Sequence, residues 1–154
     1  MRKHLDQYLG YFLALLMLII SLTVLWGVFT RYALGSQASW TEELARFLLI
    51  WIGILGAGWV SGQRQHLAIT LLPERLEGRA RRRLQRCIDG LVLLFALSVL
   101  VAGGLRLLYI THQLGQVSPA LQVPMTVVYA VLPLSGLLIA YYKLADLKNS
   151  AKWK

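Results

Sequence analysis

Cysteine is nearly absent from this sequence. Cys87 is the only one in 154 residues, so neither an intrachain disulfide nor a multi-cysteine metal site is available. Beside an apolar run, that thiol is expected to be buried filler. Histidine is almost as scarce. His4, His66 and His112 are isolated, and a zinc site needs three or four convergent ligands. Ser39, Ser61, Ser98 and Ser118 have no histidine close by in sequence to activate them. No catalytic, cofactor-binding or metal-binding set can be assembled, and an enzyme is not expected. Internal repeats and low-complexity tracts are missing too. Most telling is where charge is missing: from Gln7 to Thr30, Phe47 to Gln63, Gly90 to Leu105 and Leu107 to Tyr142.

A helix needs about 20 apolar residues to cross a bilayer, at roughly 1.5 Å rise per residue. The last uncharged run is too long for one crossing. Its His112–Gln116 stretch, with Pro119 and Pro124, reads as a helix end, a loop and a new helix. The expected fold is an all-α integral membrane protein of one transmembrane domain over 1–154, with spans near 9–30, 43–62, 88–111 and 125–145. The first run is about twice the apolar core of a signal peptide and lacks a clear cleavage site, so it reads as a retained span.

Thirteen of the sixteen Lys and Arg fall before span one, between spans two and three, or after span four. The positive-inside rule then places both termini and the 63–86 loop in the cytoplasm. Arg31, Arg46 and Arg106 are left near the other face. The formal net charge of +9 raises the question of nucleic acid, and Arg79, Arg81, Arg82, Arg83 and Arg86 form a basic cluster. Tethered beside a span, the cluster serves topology and meets anionic headgroups, so membrane lipids rather than nucleic acid are the expected partner. Pro73, followed by Leu76, Ala80 and Leu84, predicts an amphipathic helix in the inner headgroup layer that leads into span three.

Polar groups that would mark an ion or substrate path at mid-bilayer are few. Arg106 is the one charge well inside a hydrophobic region, and Pro133 is a single candidate kink with no matching break elsewhere. At the start of span two, Ser39 and Glu42 have capping-box spacing, and Glu42 and Arg46 are four apart on one face. Trp40 stands beside them. The bland reading is an ordinary helix start. The functional one is an outer polar network or docking surface in which Glu42 and Glu43 pair with Arg31, Arg46 or Arg106.

Small residues recur in span two as Gly53, Ala57 and Ser61, and as Gly58 and Gly62. Gly136 and Ala140 repeat the spacing in span four. Within lipid such rows let helix backbones approach closely, inside the chain or against another one. Many close-approach surfaces and no site of its own suggest a partner in an assembly.

These residues resemble a known family. Arg31–Tyr32, Trp40, Glu42–Arg46, Trp51, Gly56–Ala57 and His66 look like the signature of the small membrane subunit of tripartite ATP-independent periplasmic (TRAP) transporters. Ser118–Met125, Tyr129 and Pro133 resemble its second outer loop and fourth span. The resemblance implies an inner-membrane transport system of three parts. A periplasmic protein captures a carboxylate-bearing solute such as a C4-dicarboxylate or a sialic acid. A large membrane subunit holds the sodium and substrate sites and moves as an elevator. The small subunit enlarges the fixed scaffold and needs no cofactor of its own. The alternative is a self-sufficient four-helix exporter, which characteristically carries an embedded acid. Span one has none between Gln7 and Thr30.

Overall fold

The computed structural model describes residues 2–36, 38–62 and 78–150. Among the described residues six α-helices and one π-helical stretch follow in order: α1 (Arg2–Ala33), α2 (Ser39–Gly62), α3 (Gly78–Phe95), the π stretch (Ala96–Gly103), α4 (Gly104–Gln113), α5 (Met125–Tyr129) and α6 (Val131–Ser150). No strand occurs among the described residues. The segment α3–π–α4 is unbroken, and α5 and α6 are separated only by Ala130. Among the described residues, therefore, four runs are long and apolar enough to cross a membrane: Leu5–Ala33, Ser39–Gly62, Cys87–Gln113 and Met125–Ala145.

Their burial is inverted relative to a water-soluble protein. On α1 the buried positions are Leu13, Leu16, Thr23, Gly27 and Thr30, a stripe one or two residues wide. Leu22, Leu25, Trp26 and Phe29 beside it are exposed. Apolar surface on this scale would aggregate in water, whereas hydrocarbon solvates it.

Two compact units partition the chain. In the first, Met1–Gly56 with Leu107–Val131, spans are joined by polar side chains. The buried Thr30 hydroxyl accepts the Ala38 N–H at 3.4 Å and donates to the Gly27 carbonyl at 3.0 Å, tying the end of α1 to the start of α2. The Trp51 indole donates to the Val128 carbonyl at 3.1 Å, linking α2 to α5.

In the second, Ala57–Arg106 with Leu132–Lys154, glycines set the spacing. A Cβ on Gly58 would stand 2.9 Å from Ser135 Oγ, and one on Gly62 would stand 2.7 Å from the Tyr142 ring. Gly104 lies against Pro133, with 3.1 Å from the same hypothetical Cβ to the proline nitrogen. Gly136 lies against Leu100 and Val101 of the π stretch, each 2.8 Å from where a Cβ would be. A buried ion pair, Lys143 Nζ to Asp89 Oδ1 at 2.9 Å, joins α6 to α3.

Several expectations are corrected. Helix α2 opens at Ser39, ahead of the apolar stretch near 43–62, and the Thr41 N–H and hydroxyl both donate to the Ala38 carbonyl, at 3.0 and 2.6 Å, to close its first turn. Among the described residues no bond joins Ser39 to Glu42, so the capping box is not made. The small-residue rows regroup: Gly58, Ser61 and Gly62 are buried together, while Gly53 and Ala57 are exposed. At 3.6 residues per turn a spacing of four drifts by about 40° each step, so Ser61 has rotated off the Gly53 face. Gly136 and Ala140 are buried within the chain.

Cys87 is exposed rather than buried. Nor are the spans uninterrupted. The third carries the π stretch, and the fourth pauses at Ala130, because Pro133 has no N–H to offer one turn back and its ring crowds that turn. Of the amphipathic segment, Pro73 and Leu76 lie outside the described residues, as do Arg64, His66 and Arg75. From Gly78 onward the backbone is one helix running into span three, and it carries Arg79, Arg81, Arg82, Arg83 and Arg86.

Gly62→Ala should lower the stability of the chain in detergent by about 1–3 kcal/mol through overpacking. Gly53→Ala, with open space around it, should cost nothing. Denaturant titrations of the two variants make the comparison.

Candidate functional site

The polar cluster of the first unit is built around Glu43. α4 ends in a Schellman turn with Gly115 at φ +57. The Gln116 N–H reaches the Thr111 carbonyl at 3.3 Å, and the Gly115 N–H reaches the His112 carbonyl at 3.1 Å. The chain then doubles back. Val117 pairs with Pro124, the Ser118 N–H donates to the Val123 carbonyl at 2.9 Å, and the Gln122 N–H donates to the Ser118 carbonyl at 3.1 Å. Ser118 is buried, and its hydroxyl takes the Val123 N–H at 3.3 Å. Gln122 adopts φ 55, an uncommon left-handed conformation for a side-chain-bearing residue.

This turn aims the N–H groups of Ala120 and Leu121 at α2. One oxygen of Glu43, Oε2, accepts both, at 2.9 and 2.8 Å. Successive backbone amides form a concavity suited to an anion, and charge-assisted bonds of this length are roughly twice as strong as neutral ones. Glu43 is thus the latch that fixes the 117–124 loop on α2.

The expected pairing of Glu42 and Glu43 with arginine is not what the structure contains. Among the described residues no ion pair joins either glutamate to Arg31, Arg46 or Arg106. Glu43 is taken by the loop amides. Glu42 and Arg46 are both exposed, where a pair four residues apart gains little. Arg106 is exposed on α4. Trp40, about two-fifths exposed, stands at the start of α2.

Glu42, Arg46, Leu49, Gly53 and Ala57 are all exposed and recur at three- and four-residue steps, so they form one continuous stripe along α2. Gly56 flanks it, and nothing lies within 4 Å of a Cβ built on Gly53 or Gly56. Exposed positions of α1 instead carry Leu15, Met17, Leu18, Leu22, Leu25 and Phe29. Separately, Arg31 and Glu42 line one cavity of about 240 Å³ between α1 and α2.

Two features were missed by sequence reasoning. The Asp89–Lys143 pair joins residues 54 apart, neither of which is singled out from the sequence. The signal was present, since an acid and a base sit at the same end of adjacent spans. The amide donors of Ala120 and Leu121 left no side-chain signal at all.

Glu43→Ala should speed hydrogen exchange at the Ala120 and Leu121 amides by about ten- to a hundredfold, because bonds to a charged acceptor are worth about 1.5–3 kcal/mol each. Glu43→Gln should have a smaller effect. For the ion pair, Asp89→Leu alone should cost about 3–5 kcal/mol by stranding a buried ammonium, and adding Lys143→Met should restore most of that loss. Unfolding of the single and double variants in detergent checks the sign.

Comparison with known proteins agrees with the geometry. The family model described as Tripartite ATP-independent periplasmic transporters, DctQ component, matches residues 20–152. The chain is 34% identical over 118 residues to the isethionate TRAP transporter permease protein DctMQ of Oleidesulfovibrio alaskensis, covering 77% of this chain but only 18% of that much longer one. A putative TRAP transporter small permease protein of Haemophilus influenzae is 25% identical over 122 residues, 79% of this chain and 74% of the relative. The ectoine TRAP transporter small permease protein TeaB of Halomonas elongata is 29% identical over 141 residues, 89% and 71% of the two chains. These relatives are transporter permease proteins, not enzymes. With four membrane-capable spans and this match over most of its length, the chain belongs to the DctQ component family, the small permease subunits of TRAP transporters.

Proposed function

We propose that this chain is a fixed scaffold subunit, bound to a large inner-membrane subunit that carries the substrate and sodium sites and moves against it. A periplasmic binding protein delivers the solute, of a carboxylate-bearing class. The observation that carries the reading is the exposed α2 stripe. Bulky side chains fill the exposed surface of α1, yet the α2 stripe is smooth at Gly53 and Ala57 and polar at Glu42 and Arg46. Small residues let a neighbouring helix come close, and in lipid close packing rather than hydrophobic exclusion drives association. Support also comes from the isethionate relative, in which the matching stretch is a minor part of one long permease chain.

Mechanically, an element sliding through the bilayer drags on whatever it slides against, and a scaffold that tilts deforms the membrane. Additional spans anchored by Trp26, Tyr32 and Trp40 resist that tilt, since interfacial aromatics hold helix ends at headgroup depth. The Glu43 latch stiffens the loop at the end nearest the binding protein. The polar end of the stripe serves docking, where charge governs on-rate more than affinity.

A gently solubilised, tagged chain should co-elute with a much larger multi-span protein in equal amount. Gly53→Leu with Ala57→Leu should cut that recovery sharply while leaving the isolated chain folded. In the reconstituted complex, Glu43→Ala should lower uptake without altering solute capture by the binding protein. A homodimer that transports on its own would replace this reading with an exporter.

A further inference from the structure

The cavity between the last turns of α1 and the first turns of α2 changes character along its wall. Val24, Gly27 and Val28 make an apolar slot, and Arg31, Tyr32 and Glu42 form its polar end. The two threonines in the wall are already engaged. Thr23 donates to the Ile19 carbonyl at 2.8 Å and Thr41 to the Ala38 carbonyl at 2.6 Å. The ionised groups are therefore the recognition elements. Arg31 lies in the last turn of α1 and Glu42 in the first turn of α2, each at the helix pole that favours its charge. Neither forms an ion pair with the other or with any described residue.

One guanidinium and one carboxylate, both unengaged on the wall of a single cleft, complement a ligand that carries an anion and a cation close together. Val24 and Val28 are about half exposed, so the slot is continuous with the lipid-facing surface of α1. Its volume of about 240 Å³ lies below the roughly 300–1,000 Å³ of pockets that enclose a drug-sized molecule. It suits a headgroup whose tails stay in the bilayer.

We propose that this cleft binds the headgroup of a zwitterionic phospholipid with a primary ammonium, a phosphatidylethanolamine. The phosphate sits on Arg31, which offers a planar fork of donors matched to phosphate oxygens. The ammonium donates to Glu42, and the first acyl methylenes follow Val24 and Val28. A choline headgroup has no N–H to donate to Glu42. A glycerol headgroup supplies no cation at all and sets its anion near a carboxylate. The ligand so placed fills the gap between α1 and α2 and engages Glu42, the first residue of the exposed stripe, leaving Arg46 as the polar group of that stripe for docking. This site does not depend on the scaffold reading, because every residue of it belongs to this chain.

The test uses the full chain in detergent with equal amounts of phosphatidylethanolamine, phosphatidylcholine and phosphatidylglycerol, and reads the retained lipid by native mass spectrometry. Phosphatidylethanolamine should be retained about tenfold over either competitor, the size expected of one hydrogen bond to a charged group. Arg31→Gln should weaken retention of all three. Glu42→Gln should abolish the preference among them while phosphate-dependent binding persists, a split that a purely structural role would not produce. Glycerophosphoethanolamine, lacking acyl chains, should compete poorly. Equal retention of the three lipids by the wild-type chain, a preference for phosphatidylglycerol, or an unchanged preference in Glu42→Gln would overturn the proposal.

Discussion

Hydrocarbon offers helices no hydrophobic reason to associate, because lipid tails solvate a leucine as well as another leucine does. Whatever holds one span of this chain to another must therefore be close packing or a polar group that finds its partner on a different span. Both devices are present: hydrogen bonds join the spans of the first unit, and close packing together with the Asp89–Lys143 pair joins those of the second. Around Gly58, Gly62, Gly104 and Gly136, side chains and even a proline ring occupy the space a Cβ would need. Around Thr30, Trp51 and Glu43, hydrogen bonds cross between elements. Exposed leucines and valines contribute solubility in lipid and little else.

The polar links differ in what they stabilise. Glu43 is half-buried and acts on a loop, so losing it frees the 117–124 turn without unpacking a helix. Asp89 and Lys143 are nearly sealed from solvent, at 7% and 6% side-chain exposure. Such a pair is weak evidence for net stability, since desolvation offsets much of the attraction, but it severely penalises any arrangement that separates the two. It therefore selects one register of α6 against α3. The interruptions of the third and fourth spans have local causes. Gly104 shares its N–H between the Leu100 and Val101 carbonyls where the π stretch returns to α-helix, and Pro133 accounts for the pause at Ala130. The π stretch lies in the second unit, and the pause at Ala130 falls in the first.

How legible this was in the sequence depends on the kind of signal. Uncharged runs gave the four spans to within a few residues, because the bilayer imposes a length that composition must satisfy. The apolar stretch near 43–62 leaves out the polar first turn of α2, which opens at Ser39 and is closed by Thr41. Glycine spacing marked where close approach was possible but not which helix would use it. Gly58 and Gly62 serve α6, and Gly53 meets nothing among the described residues. Glu43 drew attention by its charge, yet an arginine partner was the wrong expectation, because backbone amides of a loop 77 residues away carry no side-chain signature.

Span number and helical class were determined by the sequence alone, because each follows from a one-dimensional tally of apolar length. Which polar groups meet was decided only by the tertiary structure. Asp89 with Lys143, Trp51 with the Val128 carbonyl, and Glu43 with two loop amides are pairings between segments 54 to 78 residues apart. Their geometry depends on helix rotation and on the curl of a turn with residues at positive φ, and neither quantity is written in composition or spacing.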